Sequence, residues 1–562
     1  MKSHMNIPFP LLFCILFFLP FTAPHAAPSD HLLNAVECLK IAAGMASTYS
    51  QDVNGDDRTG LVEAIHELKS AAATDSEPVA EPTLRTTLPA SWDENWFASP
   101  AVYDLDGDGR QEIVAGRHSV LYVWNDAGAL LWRAPVGENA TSPNNHGSNR
   151  QYTSPVVGDL DNDGKGEIAI AYANKAAVYD HNGLIQSGWP QSFPGSTGEI
   201  RSLAAADLTG DEKMEILAVK TSSGPVTVVW RIDGDVLDGW PQVVDCDECV
   251  DYGGYNQNIG AADIDGDGAL EVISTYDSAY IGFMEADGRP MPAHSAFDRP
   301  YVNSTPMFHD IELAQQGWGS DGNDRDEFTD SPPVFGDLDE DGIAEVILYS
   351  DHERAGEYIN RGNCLWVLNA DMTRVPGFET PICSGEPLFT GYQDNIVQVC
   401  PAPALADLTG DSRPEIIVPS YDGFMRCYSP EGNLLWNYRF DVSGGDFVGA
   451  SGPAAGDLNK DGVPEIIFST YAIVDDISHL IILNADGNEL HKTPLAKRGS
   501  MSVPTLADTD GDGSVEILVS LKDTLSGGLG GVQIYDVASA GTGNLPWPTG
   551  RGNRLRDGRP NL

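Results

Sequence analysis

Basic residues are scarce in this chain: 33 Lys and Arg stand against 83 Asp and Glu in 562 residues, a formal net charge of −50. That excludes nucleic acid and anionic membrane surfaces as partners, because both are held through a basic footprint. Long apolar runs are equally rare. The opening residues hold one, LLFCILFFLPF, and no later stretch approaches the ~20 apolar residues that a membrane span needs. Catalytic signatures are missing too, with no GxSxG elbow, HExxH helix, phosphate-binding loop or CxxCH haem site. Adjacent cysteines of the kind a quinone-dehydrogenase propeller carries are absent. Helical periodicity fades after about residue 90.

What is present begins with an address. Residues 1–26 read as a secretory signal: Lys2, the apolar run broken by Pro20, then the small residues Ala23, Ala26 and Ala27. Cys14 sits inside that run without the small residues a lipoprotein signal places before it. The expected destination is secreted, periplasmic or cell-surface. Cys38, Cys246, Cys249, Cys364, Cys383, Cys400 and Cys427 would remain in the mature chain, some paired and one left over. Cys246 and Cys249 in DCDEC have no second Cys or His pair at ligand spacing, so a small loop disulfide is expected there; the other pairings stay open.

The dominant pattern is an acidic nonapeptide in eight copies: DLDGDGRQE at 104, DLDNDGKGE at 159, DLTGDEKME at 207, DIDGDGALE at 263, DLDEDGIAE at 337, DLTGDSRPE at 407, DLNKDGVPE at 457 and DTDGDGSVE at 508. Each follows a short apolar run and precedes a β-branched strand such as EIVAG, EVILYS or EIIFST. A second turn signal follows in most copies, as in NDAG at 125, DHNG at 180, EADG at 285 and NADG at 484. One repeat therefore reads strand, acidic loop, strand, turn, strand, Asp/Gly turn, strand, which is a four-stranded antiparallel blade. The expected fold is all-β, an eight-bladed β-propeller over residues 91–562, with a seven-bladed ring as the alternative. The C-terminal NLPWPTGRGNRL is expected to return a strand to the first blade.

Within each loop, carboxylates at positions 1, 3, 5 and 9 with Gly at 6 make an oxygen cage, the donor set of Ca²⁺. Asp104, Asp106, Asp108 and Glu112 supply it in the first copy, and Asp159, Asp161, Asp163 and Glu167 in the second. Asp263, Asp265, Asp267 and Glu271, then Asp337, Asp339, Asp341 and Glu345, then Asp508, Asp510, Asp512 and Glu516 complete the full sets. Two loops keep Asp207, Asp211 and Glu215, or Asp407, Asp411 and Glu415, but place Thr209 or Thr409 at position 3 and replace the Gly with Glu212 or Ser412. A third, with Asp457, Asn459, Asp461 and Glu465, has an amide at position 3. Weaker ion binding is expected at these three.

These motifs resemble the FG-GAP or VCBS-type calcium repeats of integrin α-subunit heads and many secreted bacterial proteins. The resemblance implies structural calcium and a ligand face opposite the calcium loops.

The N-terminal DVNGDDRTGLVE, with Asp52, Asn54, Asp56 and Glu63 at positions 1, 3, 5 and 12, has EF-hand spacing, although Asp57 stands where Gly is expected. It resembles an EF-hand or half of a dockerin within a small α-helical element at 30–73, and residues 74–90 read as a Pro-containing linker.

Long insertions at 141, 243, about 290–330 and 379 fall between blades, on the face opposite the acidic loops. His146, Tyr152, Tyr255, His309, Trp318, Tyr392 and Asp394 are the ligand-contact candidates there, whereas Trp189 and Trp240, both in GWPQ, are expected to be structural. The expected function is a non-enzymatic interaction or adhesion module for an extracellular protein or carbohydrate. The alternative is a lyase of acidic, pectin-like glycans, for which Arg150 or His146 would be the base.

Overall fold

The computed structural model describes residues 40, 78–90 and 95–561, except for 142–144, 196, 223, 243–252, 316–323, 355–361, 386–387, 389–391, 394–395, 398–400, 443–447 and 523–529. The chain divides into two units, Met1–Asp75 and Ser76–Leu562. The signal segment and the EF-hand-like loop of Asp52, Asn54, Asp56 and Glu63 lie outside the described residues, as do Cys246 and Cys249.

In the second unit each acidic loop joins the innermost strand of a blade to its neighbour. The first blade runs Ala101–Tyr103, Glu112–Arg117, Val120–Trp124 and Leu130–Pro135, each strand antiparallel to the next. Seven more follow in chain order, their inner strands being Val156–Gly158, Ile200–Ala206, Ile259–Ala262, Val334–Gly336, Ala404–Ala406, Ala454–Gly456 and Thr505–Ala507. The fold is thus an eight-bladed propeller. In the third and fourth blades the outer edge is made by isolated bridges, Trp230 with Val236 and Met284 with Pro290.

Burial follows from each strand's place in the ring. The second strands, packed on both faces, are buried throughout, as in Glu112–Arg117, Glu167–Tyr172 and Glu215–Lys220. Outer strands such as Leu434–Arg439 are largely solvent-exposed. Apolar clusters fill the gaps between neighbouring blades. Ala169 and Val178 of the second blade meet Leu203, Ile216 and Val228 of the third, and the ring closes where Ile113, Val120 and Trp124 meet Leu518, Val532 and Ile534 of the eighth. Each of these Val, Leu and Ile side chains contributes about 1.5–3 kcal/mol on burial.

Tryptophans latch one blade to the next. Indole N–H groups of Trp132, Trp189, Trp240 and Trp436 donate to the carbonyls of His181, Ile232, Ala286 and Ala485, each in or next to the Asp/Gly turn of the following blade, at 2.7–3.1 Å. The structural role expected for Trp189 and Trp240 is what the geometry shows.

Closure differs from the sequence expectation in two ways. The outer strand of the eighth blade is Thr83–Pro89, paired antiparallel with Gly531–Asp536. The end of the segment read as a linker is therefore part of the propeller. The C-terminal segment adds no strand to the first blade. It winds through the centre, where inner strands expose N–H groups that would otherwise lack acceptors. Its carbonyls take those protons: Asn544 from Asp457, Trp547 from Ala455, Pro548 from Leu506, Arg554 from Val157, Leu555 from Ala205, Asp557 from Ala261 and Gly558 from Phe335, at 2.7–3.1 Å.

Arg556 pins this plug. Its fully buried guanidinium donates to the carbonyls of Pro155, Gly550, Ser99 and Pro100 and to Thr549 Oγ1 at 2.8–3.3 Å, and burial lowers its pKa to about 9. Truncation strands these acceptors without water. Arg556→Ala is expected to destabilise the propeller by about 3–5 kcal/mol, measured by denaturant unfolding.

Candidate metal centres and the axial face

The eight acidic loops share one hydrogen-bond scaffold. Oε2 of the ninth-position Glu accepts from the N–H of the second residue, as Glu112 does from Leu105, at 2.7–2.9 Å in all eight. Oδ2 of the first Asp accepts from the N–H of the sixth residue at 2.8–3.0 Å in all eight. The Glu is the first residue of the second strand, so one side chain ties loop to sheet.

The backbone explains how the degenerate loops keep this shape. Positions 4 and 6 are left-handed throughout: Gly107 and Gly109 have φ of 75° and 88°, and Asn162 and Gly164 have 59° and 90°. Glu212 and Ser412 occupy the same region at 68° and 80°. The loss of Gly at position 6 therefore strains these loops without refolding them, at about 1–2 kcal/mol each.

Clustered oxygens are the consequence. Asp104, Asp106 and Asp108, as well as Asp159, Asp161 and Glu167, Asp263, Asp265 and Glu271, and Asp337, Asp339 and Glu345, each bring one ligand atom apiece within 4.8 Å of the others. Asp161 Oδ1 and Glu271 Oε1 are buried without a hydrogen-bond partner. Burial, reinforced by the neighbouring Asp charges, pushes Glu112, Glu215, Glu345 and Glu415 up to about 7 and Glu167, Glu271 and Glu465 up to about 8. An all-oxygen set that resists carrying its own charge fits a hard divalent cation.

The loops are not equivalent. Thr409 Oγ1 donates to Glu415 Oε1 at 3.2 Å, which engages that carboxylate's second oxygen. Asn459 Nδ2 donates to Asp461 Oδ2 at 3.1 Å. The loop at 508 departs from its sequence reading: Arg85, from the N-terminal outer strand, reaches Asp510 at 2.5 Å and Glu516 at 3.6 Å and supplies positive charge of its own.

On the opposite face, the second strands run away from their loops. Arg117, Lys220, Asp277, Asp351, Tyr421, Tyr471 and Lys522 stand five or six residues after their loop glutamates. Arg201 lies over the Tyr152 ring at 4.1 Å and the Tyr255 ring at 5.6 Å, and pairs with Glu199 at 2.6 Å. Trp96 meets Tyr152 edge-on at 6.2 Å, with Lys522 Nζ 3.7 Å above its own ring. Asp330 is pushed up to about 8 by burial and by Asp351 and Asp277, with Arg201 opposing. At the axis, Phe97, Gln257, Ala402, Met501, Val503 and Arg551 line a shallow depression with room for about one water molecule.

Of the ligand candidates, Tyr152 and Tyr255 are brought together by Arg201. His146 is half-buried near them in sequence, its carbonyl taking the Ser119 hydroxyl. His309 is not exposed as expected. The 290–330 insertion folds onto the fourth and fifth blades through Phe297, Val302, Met307 and Phe308, and His309 is drawn in to Asp326. Tyr392 begins the short strand Tyr392–Gln393; Trp318 and Asp394 lie outside the described residues. Arg201, Asp330 and Trp96 were missed, although repeat alignment does mark the strand exits.

Two outcomes are expected. Gly342, at φ 89° with open space where a Cβ would stand, isolates backbone strain, so Gly342→Ala should lose about 1 kcal/mol in denaturant titration while Ser412→Gly loses nothing. Asp330 has a raised pKa in the folded state, so its contribution is complete below the unfolded carboxylate value and lost as pH rises through about 8. The melting temperature of Asp330→Asn should therefore fall less than that of the wild type between acid and mildly alkaline pH.

A family model described as an FG-GAP-like repeat matches residues 104–170, 159–218 and 407–468. No curated protein matches the chain. Similar solved structures include the V. cholerae biofilm matrix protein Bap1, at 16% identity over 84% of this chain and 93% of that one with a TM-score of 0.38. The Dos1 propeller is 9% identical over 83% and 96%, with a TM-score of 0.42. Quinohemoprotein alcohol dehydrogenase ADHIIG from Pseudomonas putida HK5 is 13% identical over 85% and 80%, with a TM-score of 0.46.

Proposed function

The chain is an eight-bladed β-propeller carrying FG-GAP-like repeats, and from that premise we propose a secreted interaction or adhesion module that binds an extracellular protein or carbohydrate on its axial face. The ions of the acidic loops are calcium in this reading and serve the scaffold. The observation that carries it is the division of labour between faces. Oxygen clusters repeat in the loops as a scaffold would, whereas Trp96, Tyr152, Arg201 and Tyr255, which come from segments between blades or the start of an inner strand, gather away from those loops. Planar aromatics beside a guanidinium suit sugar rings, carboxylates or the side chains of a partner.

Magnitude supports a structural role for calcium. At roughly millimolar calcium, a site of the extracellular affinity class adds about 0.4–1.4 kcal/mol by linkage, so several together rival the stability of a domain.

Chelation is expected to lower the melting temperature and open the propeller to protease, with calcium restoring both; an unchanged melt would remove the ions from the scaffold. On glycan and matrix-protein arrays the calcium-loaded protein is expected to bind one ligand class, and Arg201→Ala to lose it while melting normally. Release of unsaturated products from pectic glycans would replace the module reading with the lyase.

A further inference from the structure

One cluster of metal-ligating side chains lies apart from the acidic loops, on the fifth blade. Cys364 is in the third strand, Asn363–Leu368, and Cys383 in the outer strand, Ile382–Cys383. The two are cross-strand partners joined as a disulfide. His352 comes from the long second strand, Glu345–Arg354, and His309 from the insertion before that blade. One ligand atom from each of the four lies within 4.8 Å of all the others. His352 Nδ1 is 3.3 Å from Cys364 Sγ and 3.7 Å from Cys383 Sγ, and the two imidazoles meet edge-to-face at 4.4 Å.

The surroundings are those of a ligating group. Asp326 is fully buried and lies 2.7 Å from His309 Nε2 and 3.6 Å from His352 Nδ1. Its other oxygen accepts from Ser350 Oγ at 2.5 Å and from the Trp366 indole at 2.6 Å. A carboxylate fixed this way holds His309 by Nε2, as an outer partner does around bound metal, and leaves its Nδ1 for ligation, whereas His352 turns Nδ1 toward the two sulfurs. Two thiolates and two imidazoles from separate elements are the closed, tetrahedral donor set of structural zinc.

We propose that Cys364, Cys383, His309 and His352 form a zinc site in the reduced protein, and that the disulfide is its oxidised, metal-free state. The balance is simple. A dithiol reductant gives two electrons and two protons to the disulfide and is itself oxidised to a disulfide. Zn²⁺ then binds both sulfurs as thiolates and releases the two protons. Cys383 is the exposed member through which a reductant enters, whereas Cys364 is buried. Zinc would clamp the His309 insertion to the blade, so redox state sets how firmly that insertion is docked.

Cobalt(II) added to the calcium-loaded full chain, reduced with a phosphine, tests this, because thiolate-to-cobalt absorption reports sulfur ligands that the carboxylate loops cannot supply. A single equivalent showing that band is expected, displaced by zinc and lost on oxidation. Cys383→Ser should abolish the band and His352→Asn should weaken and shift it, while Cys246→Ser with Cys249→Ser should leave it intact. Absence of the band in the reduced wild type, or its persistence in Cys383→Ser, would overturn the proposal. Zinc is also expected to raise the melting temperature of the reduced protein alone; an equal rise in the oxidised protein would count against it.

Discussion

A ring of separate sheets keeps a strand edge at the rim and another at the axis of each blade, and this propeller uses the two ends of its own unit to complete one blade and to cover the axial edges. An antiparallel blade exposes one row of backbone groups at the rim and another at the axis. At the rim of the eighth blade the row is capped by Thr83–Pro89. At the axis, N–H groups from six blades find carbonyls of the 544–558 segment, and Arg556 adds the carbonyls of Ser99 and Pro100 that lead into the first blade. A buried unmade hydrogen bond costs about 1–3 kcal/mol. The plug is therefore worth more than its own apolar area indicates.

The loops obey the same logic on a smaller scale. A buried Glu carboxylate that spends one oxygen on a backbone N–H and stands beside two or three Asp charges is poorly placed to ionise unaided, as its pKa of about 7–8 in seven of the eight loops records. Cations relieve this. Arg85 does so at the 508 loop with a covalently supplied charge, and the clustered carboxylates of the loops at 104, 159, 263 and 337 are a donor set that suits a divalent ion in its place.

The repeat count, strand order and the clustering of the loop carboxylates were legible because each is local: an Asp-rich nonapeptide before a β-branched run encodes both a loop and the strand that follows. Closure was not, since the Thr83–Pro89 strand pairs across more than four hundred residues and has no acidic loop to announce it. The same distance hid Arg85, and it hid the plug, whose NLPWPTGRGNRL reads as a turn-rich segment until the eight inner strands around it are known. His309 looked exposed because its insertion is polar in places; Phe297, Val302, Met307 and Phe308, spaced without strand or helix period, are what fold it inward. Arg201 precedes its strand's apolar run and carries no motif, so only its position over Tyr152 and Tyr255 identifies it.

The two faces are distinct in chemistry but mechanically continuous. Every second strand begins at a loop Glu and runs away from the loop, so that five or six residues on Glu215 leads to Lys220, Glu345 to Asp351 and Glu516 to Lys522. The strands Glu215–Lys220 and Glu516–Ser520 are buried throughout or nearly so and hydrogen-bonded on both sides, which makes them stiff. Fixing the glutamate end therefore fixes the height at which the exit residue stands. In a ring, an error at one strand is shared with two neighbouring blades through the apolar clusters between them. A cation in the loops would thus order the axial face without touching it, and a ligand gripping several exits at once would in turn hold the loops in their ion-binding shape. Such coupling is reciprocal by thermodynamic necessity: whatever the ion adds to ligand affinity, the ligand adds to the ion's.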